Sequence, residues 1–314
     1  MNIVLLIDPL PTLKAYKDSS VAIMRAAAQR GHQVYVAQPA DLFWQHGQVM
    51  AQLSRLSLHQ DTEHWYSVED TVLRPIAESD VVLMRKDPPF DAEYLYATQL
   101  LSLAESAGAR VYNAPQALRD FNEKLAIARF PQFTVPTLVS CRAKLLREFA
   151  RTHADVILKP LDGMGGMEVF RVRPDGLNLN AIIESLTRQE TRTIMAQCYI
   201  PEIIAGDKRI LLIDGVPIPW ALARMPAPGE TRANLAAGGH GVAQPLSARD
   251  LDIAHTVGAS LRDVGLMLVG LDVIGDYLTE INVTSPTGMV EIADQTGYSV
   301  ADTLLDAIES RSGD

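Results

Sequence analysis

Three oxygen-bearing side chains, Asp272, Glu280 and Asn282, interrupt two apolar runs late in a 314-residue chain. The stretch from Gly270 to Pro286 reads GLDVIGDYLTEINVTSP, and its Gly-Asp pair between apolar runs predicts a β-hairpin. Glu280 and Asn282 are two residues apart, so on a strand they share a face. Carboxylates among apolar neighbours are costly without a partner. A hard divalent cation, Mg²⁺ (or Mn²⁺), satisfies them and leaves positions for substrate phosphates. The hairpin therefore reads as the floor of a nucleotide–metal site. The competing reading is an exposed hairpin whose polar residues face water. Register separates the two. A strict two-residue turn, Gly275-Asp276, sets Asp272 opposite Thr279 and turns Glu280 away. A three-residue loop or a bulge pairs Asp272 with Glu280.

Four cationic residues accompany this hairpin. Lys159 interrupts the apolar run ADVILKPL, where a lysine needs an anion or a way out to water. Lys124, taken alone, reads as an exposed helix lysine, and Arg209 and Arg224 read equally as solvent-facing hairpin positions. Their order along the chain argues otherwise. Two lysines precede a Gly-rich hairpin, a hinge at Pro201 follows, then two arginines, a mobile loop and the Asp…Glu-x-Asn hairpin. These are the parts of phosphoryl transfer: cations and metal to neutralise phosphates, and lids to exclude water.

The elements that must position these residues begin with the strand NIVLLI. A helix capped by Asp18 or Ser19 runs to Arg30 and is closed by Gly31, and the strand QVYVAQ follows. That order predicts a parallel, doubly wound sheet. Its first loop carries Lys17, Asp18 and Ser19 at a strand's carboxyl end, where such sheets bind ligands. The segment 46–70 has no decisive pattern, and His46, His59 and His64 read as exposed. A strand at 81–85 delivers Arg85 and Lys86 to a base stiffened by Pro88-Pro89. A helix over about 91–107 and the strand ARVYNA complete the first unit. No G-x-G-x-x-G follows the first strand, which argues against a dinucleotide site.

From Pro115 the pattern changes. Asn122 caps an expected helix containing Glu123 and Lys124. The strand TLVSC, a helix over about 143–152, and the hairpin ADVILKPL–VFRVR follow, the hairpin with the Gly-rich tip DGMGGMEV. The tip is not a P-loop, because a strand follows where a helix is required, yet its backbone N–H groups can close over phosphates. After a helix near 178–189 and the strand TIMAQCYI, an Asp214-Gly215 turn joins two long strands. The stretch APGETRANLAAGGHGVAQP, with Arg232 and Asn234, reads as a mobile lid. Ser247 and Asp250 form a capping box, and Ser299 starts the last helix.

Composition sets limits. Apolar content is 47%, charged content 21% and net charge −10, which argues against non-specific binding to nucleic acid or to an acidic membrane. No run reaches the ~18 apolar residues of a membrane helix, and MNIVLLIDPL has no signal-peptide n-region. The two cysteines, Cys141 and Cys198, lie in apolar runs and are expected as buried free thiols in a reducing cytoplasm.

The ordered set Asn-Glu-Lys-Leu, Ile-Leu-Lys-Pro, Asp-Gly-Met-Gly-Gly, Gly-Asp-Lys-Arg, Glu-Thr-Arg-x-Asn-Leu and Glu-Ile-Asn-Val-Thr-Ser-Pro resembles the ATP-grasp superfamily. More narrowly, the chain resembles the bacterial glutathione synthetases. KDSS at 17–20 and MRKDPPFD at 84–91 are similar to that family's substrate-side motifs. The resemblance implies an α/β architecture: an N-terminal Rossmann-like parallel-sheet domain (1–121), then an ATP-grasp module of two α+β lobes (122–201 and 202–314). It implies ATP contacts from Lys124, Lys159, the tip glycines Gly163, Gly165 and Gly166, the adenine segment Gln197, Cys198, Tyr199 and Ile200, and the ribose candidate Asp207. Asp272, Glu280 and Asn282 would hold Mg²⁺ or Mn²⁺, and Arg209 and Arg224 would neutralise the transferring phosphoryl group. Lys17, Asp18, Ser19, Arg85, Lys86, Ser285 and the lid residues Arg232 and Asn234 would bind substrate. The implied partners are ATP, γ-glutamylcysteine and glycine, in a cytoplasmic homo-oligomer without nucleic acid or membrane. Two positions depart from the family pattern, His240 and Val290, where arginine often stands. Another ATP-grasp ligase acting on a different acidic peptide, or a non-catalytic nucleotide-binding regulator, would share much of this set. The regulator would be expected to have lost metal ligands or arginines that this chain keeps.

Overall fold

The computed structural model describes residues 1–226 and 240–312. The chain runs β1 (Asn2–Leu6), α1 (Ser19–Gln29), β2 (Gln33–Ala37), β3 (Leu42–Gln45), β4 (Gln48–Leu58), β5 (Tyr66–Pro75), β6 (Val81–Met84), α2 (Ala92–Ser106), β7 (Val111–Tyr112) and α3 (Pro115–Asp120). The strands form one mixed sheet in the order β3-β4-β2-β1-β6-β7, with β5 on β4. The pairs β1–β2, β1–β6 and β6–β7 are parallel, as the β-loop-α-β order predicts. Asp18 opens α1 by accepting the Ser20 and Val21 N–H groups at 2.7 and 3.0 Å.

The sheet is not parallel throughout. The segment 46–70 supplies most of an antiparallel extension, β4 and β5, with β4 also pairing β2 and β3. The β4 strand faces two different cores in turn, which explains why its pattern misleads. Val49, Ala51 and Leu53 point at odd positions into one core, whereas Leu56 points from the opposite face into the other, with Val34 and Val36. The three histidines of this segment are exposed.

A second sheet follows, with β8 (Thr137–Ser140), α4 (Ala143–His153), β9 (Val156–Pro160), β10 (Phe170–Val172), α5 (Leu179–Thr187) and β11 (Ile194–Cys198). Its order β10-β9-β11-β8 is antiparallel throughout, and α4 and α5 seal it with Leu146 and Ile183, both fully buried. The third sheet contains β12 (Asp207–Ile213), β13 (Val216–Met225), β14 (His240–Pro245), β15 (Leu268–Ile274) and β16 (Tyr277–Asn282). With order β14-β13-β12-β15-β16, it packs against α6 (Ala248–Asp263), α7 (Met289–Thr296) and α8 (Val300–Ser312).

Two contacts tie the first sheet to the third. Asn113, after β7, donates from Nδ2 to Leu268 O (2.8 Å) and Val283 O (2.7 Å) and accepts the Leu268 N–H at 2.8 Å. Arg30, after α1, pairs with Asp302, Asp306 and Glu309 of α8 at 2.9, 2.7 and 3.2 Å. The Asn113 bonds hold the open end of the β15–β16 hairpin, and the Arg30 pairs hold α8, against the first unit.

One backbone approach yields a prediction. The Asp214-Gly215 turn lies on α6 so closely that a Cβ at Gly258 would stand 2.2 Å from Gly215 O. By helix propensity alone, Gly258→Ala gains about 1 kcal/mol. The clash is with backbone that cannot swing aside, so a net loss of about 1–3 kcal/mol in denaturant unfolding is expected. A stabilised variant would show that the turn does not rest on the helix.

Candidate active site

The floor of the site is the β15–β16 hairpin. Ile274 pairs with Tyr277 and Val273 with Leu278, so the loop is the two-residue Gly275-Asp276, not a three-residue one. Asp272 nonetheless pairs with Glu280, because Thr279 is an extra residue bulged between them. Thr279 Oγ1 donates to Asp272 O at 3.1 Å and pins the bulge. The bulge that the metal reading requires is therefore present, four residues after the place where a three-residue loop would put its left-handed glycine.

Strand register delivers the arginines. Arg209 is the β12 neighbour of Asp272, and Arg224 the β13 neighbour of Asp207. Arg209 grips Asp272 with Nε–Oδ1 at 2.5 Å and Nη2–Oδ2 at 3.1 Å. Arg224 Nη2 lies 2.9 Å from Asp272 Oδ2 and 2.5 Å from Asp207 Oδ2. The Arg209 side chain crosses Gly270, where a Cβ would meet its Cδ at 2.7 Å, so this strand position requires glycine. Glu280 faces the two lysines: Lys159 Nζ is 3.3 Å and Lys124 Nζ 3.7 Å from its Oε1. Lys124 also donates to Gly163 O at 2.5 Å, touching the Gly-rich tip. It stands just before a short 3-10 turn, Leu125–Arg129, instead of inside an α-helix, and Asn122 caps that turn through the Lys124 and Leu125 N–H groups.

Charge states follow from these contacts. Burial pushes the Asp272 carboxyl up, but Arg209 and Arg224 outweigh it and hold the group well below the ordinary range. Glu280 is also kept low, burial being outweighed by Lys124 and Lys159. Burial lowers the Lys159 ammonium, with Glu280 opposing. Asp207 behaves oppositely. Burial, reinforced by Asp272 and Glu280 against the pull of Arg224, raises it to about 6. Its Oδ1 is buried and without a hydrogen-bond partner among the described residues.

A cavity of about 340 Å³ connects these groups. Lys124, Lys159, Arg209, Arg224, Asp207, Asp272, Glu280, Asn282 and Ser285 all line it, with Gly163, Gly165 and Gly166 of the tip. Gln197, Cys198, Tyr199 and Ile200 line it beside Ile157, Val169 and Ile203, an apolar section with backbone groups, as a base requires. The Cys198 thiol is half-buried, as is Cys141, so neither is the fully buried thiol expected.

Other expected site residues stand outside the cavity wall. Lys17 is exposed, Asp18 caps α1, and the Ser19 hydroxyl accepts the Met289 N–H at 3.4 Å. Lys86 pairs with Asp8 at 2.8 Å. Arg85 is buried and donates to Ser20 Oγ and to Pro286 O, at 3.2 and 3.0 Å, behind the loop that carries Ser285. Arg232 and Asn234 lie outside the described residues. His240 is exposed on β14, and Val290 is half-buried in the first turn of α7. Sequence reasoning gave no role to Glu123. Its Oε1 accepts the Val283 and Thr284 N–H groups and the Thr284 hydroxyl at 3.0, 3.1 and 2.8 Å, and its carbonyl takes the Ile281 N–H at 2.8 Å. Asn282 is thereby bracketed from the residue next to Lys124. The available signal was a lone acid beside a site lysine.

The donor set fits a hard divalent cation. Two carboxylates are held ionised, and Asn282 donates its Nδ2 to Gly270 O at 3.2 Å, which leaves its Oδ1 for a cation. Asp272 already serves two arginines, so Glu280 and Asn282 are the freer ligands. Among the described residues no three acidic, His or Cys side chains converge as a self-sufficient metal cage. A cation here would complete its shell with phosphate oxygens, as Mg²⁺ does in nucleotide sites.

A mixed α/β N-terminal unit followed by two antiparallel lobes facing each other across this cavity is the fold of the ATP-grasp ligases. The D-cycloserine synthetase DcsG superposes with a TM-score of 0.69 at 16% identity, covering 99% of this chain and 100% of that one. The ATP-grasp ligase PsnB, complexed with minimal precursor, gives 0.65 at 19% over 98% of both chains. At the level of family, the model of the prokaryotic glutathione synthetase N-terminal domain matches residues 1–119, and that of the family's ATP-grasp domain matches residues 123–297. The glutathione synthetase of Nitrosomonas europaea is 57% identical over 312 residues, 98% of each chain. That of Pseudomonas aeruginosa is 53% identical over 307 residues, 98% of this chain and 97% of its own. The chain belongs to the prokaryotic glutathione synthetase family.

Proposed function

We propose that the protein joins γ-glutamylcysteine to glycine at the expense of ATP, through an acyl phosphate, and releases glutathione, ADP and phosphate. One observation carries this reading above the others. Four cationic side chains from three separate segments converge on the two carboxylates of one hairpin, beneath a Gly-rich tip. In this reading Lys124 and Lys159 take the phosphates, and the tip glycines cover them. The segment 197–200 offers backbone groups to adenine, and Asp207 the ribose contact. Glu280 and Asn282, with Asp272, would hold Mg²⁺ or Mn²⁺, which when bound polarises the phosphoryl oxygens and screens their charge. Arg209 and Arg224 stabilise the charge that builds as the cysteinyl carboxylate attacks the terminal phosphorus and the bond to ADP breaks. The glycine amine then attacks the acyl carbon, phosphate leaves, and the amine proton passes to solvent or phosphate. No covalent enzyme nucleophile is required; positioning and electrostatics suffice.

Ser285, on the 284–287 loop, and Arg85, behind it, are the substrate-side groups of this reading, with Ser19 and the 230–235 segment as further candidates. Lys17, exposed on the loop before α1, is a further candidate, whereas Asp18 and Lys86 would have to leave their present contacts to take part. The division at residues 121 and 201, a homo-oligomer and a cytoplasmic location belong to the same proposal. No helix among the described residues is long and apolar enough to cross a membrane.

Hydroxylamine tests the intermediate. With ATP, Mg²⁺ and γ-glutamylcysteine but no glycine, it should trap the acyl phosphate as a hydroxamate. ADP formed without any hydroxamate would argue against this route.

The raised pKa of Asp207 gives a test in the ligand-free protein. A carboxyl whose pKa is raised in the fold carries no penalty below its unfolded value of about 4. As pH rises from there to about 6 the unfolded chain ionises while the fold keeps the proton, and stability is lost across that window and is level above it. The stability of Asp207→Asn relative to wild type should therefore move in the variant's favour from about pH 4 to about pH 6.5, read as urea midpoints. A difference that is flat across this range would remove the buried-proton account.

A further inference from the structure

The Gly-rich tip between β9 and β10 is flanked by two acids, Asp162 before Gly163 and Glu168 after Met167. Both end on one guanidinium. Arg192 Nη2 is 2.6 Å from Asp162 Oδ1, and Nη1 is 2.9 Å from Glu168 Oε2. Arg192 lies just before β11, in the sheet that carries the hairpin, and its side chain is only 17% exposed. Its own N–H donates to Thr187 O at 2.7 Å, so it is fixed to rigid structure. Between the two acids the backbone is loose by composition and unusual in shape: Gly165, Gly166 and Glu168 have φ of +61°, +79° and +56°. The only other polar anchor of the tip on the cavity side is the bond from Lys124 to Gly163 O, among the described residues.

We infer that Arg192 is a positioning residue that holds both ends of the Gly-rich tip in its cavity-covering shape, and so keeps water from the acyl phosphate. The inference rests on the ligase reading for its chemistry and on the double ion pair for its geometry. A tip with three glycines has many open conformations, and fixing its two ends together removes most of them. Each pair is partly exposed and alone would count for little. Both act on the same closure, so they add in one equilibrium. Asp162 agrees with this: burial pushes its carboxyl up, but the bond to Arg192, its own backbone N–H and the charges of Arg192 and Arg188 together hold it below the usual range. If the tip opens while the acyl phosphate stands, water adds at the acyl carbon and phosphate leaves. The dipeptide carboxylate is regenerated, and one ATP is lost with no amide formed.

The experiment compares the full-length wild type with Arg192→Gln, Asp162→Asn and Glu168→Gln. It measures ATP affinity by calorimetry with Mg²⁺, and ADP released per glutathione formed. For Arg192→Gln, a rise in Kd for ATP of about three- to ten-fold is expected, with an ADP-to-glutathione ratio clearly above that of wild type. The two acid variants, changed at half-exposed side chains that threaten no core, should each show part of the effect. Combining Asp162→Asn with Arg192→Gln should add nothing for that pair. ATP affinity and coupling ratio unchanged in all three single variants would overturn the inference. If wild type binds ATP but makes no glutathione, the ligase reading fails instead, and the calorimetric comparison still decides whether Arg192 shapes the nucleotide site.

Discussion

Replacing Glu280 with Gln should lower ligation by on the order of 10³-fold or more, with the fold retained. The change is isosteric and removes one charge from the place where most of the site meets. Glu280 is the carboxylate that Lys124 and Lys159 share, and with Asn282 it is the freest oxygen donor for a cation. Without it, burial of Lys159 is opposed by less negative charge and its ammonium falls further, so residual activity should decline as pH rises. Breaking a buried pair by removing one partner costs about 3–5 kcal/mol. That figure is an upper bound here, because Glu280 is partly open to the cavity and bound phosphate can replace it. The variant should therefore melt lower than wild type and recover more on adding ATP. Initial rates, with circular dichroism as the control for folding, check this. Near-full turnover would remove Glu280 from the metal and phosphate machinery.

Arg224→Ala should cost roughly 10²-fold or more, mainly in kcat. Arg224 reaches both Asp207 and Asp272 from β13, so its guanidinium lies where the reading places the transferring phosphoryl group. Burial works against its charge, yet Asp207 and Asp272 hold it firmly protonated. Arg224→Lys keeps the charge but loses the fork that spans two carboxylates, and should recover only a small part of the loss. A tenfold or smaller effect, or one confined to KM for ATP, would reduce Arg224 to a structural ion-pair partner.

Much of this arrangement was legible in the sequence, for identifiable reasons. Apolar runs with Asp-Gly or Gly-Asp turns gave both hairpins of the third sheet. A lysine inside ADVILKPL signalled an anion that proved to be Glu280, across from the central lobe. The site hairpin needed a bulge, but only the structure shows that the extra residue is Thr279, because bulge position depends on packing and not on the turn residues. The β4–β5 ribbon was opaque because β4 buries odd positions on one face in its first half and Leu56 on the opposite face, in a different core, in its second. Glu123 escaped notice because its work is done through backbone donors 160 residues away, which no local pattern encodes. The substrate-side residues were the least legible. Arg85 and Ser285 lie at or behind the 284–287 loop, whereas Asp18 and Lys86 are occupied with a helix cap and an ion pair.

The most direct test of the account is product formation by the purified protein with ATP, Mg²⁺, γ-glutamylcysteine and glycine. The expected result is glutathione, ADP and phosphate in equal amounts, dependent on all four components. ATP turnover with a different acidic peptide and none with γ-glutamylcysteine, or ATP bound and never consumed with any acceptor amine, would contradict it.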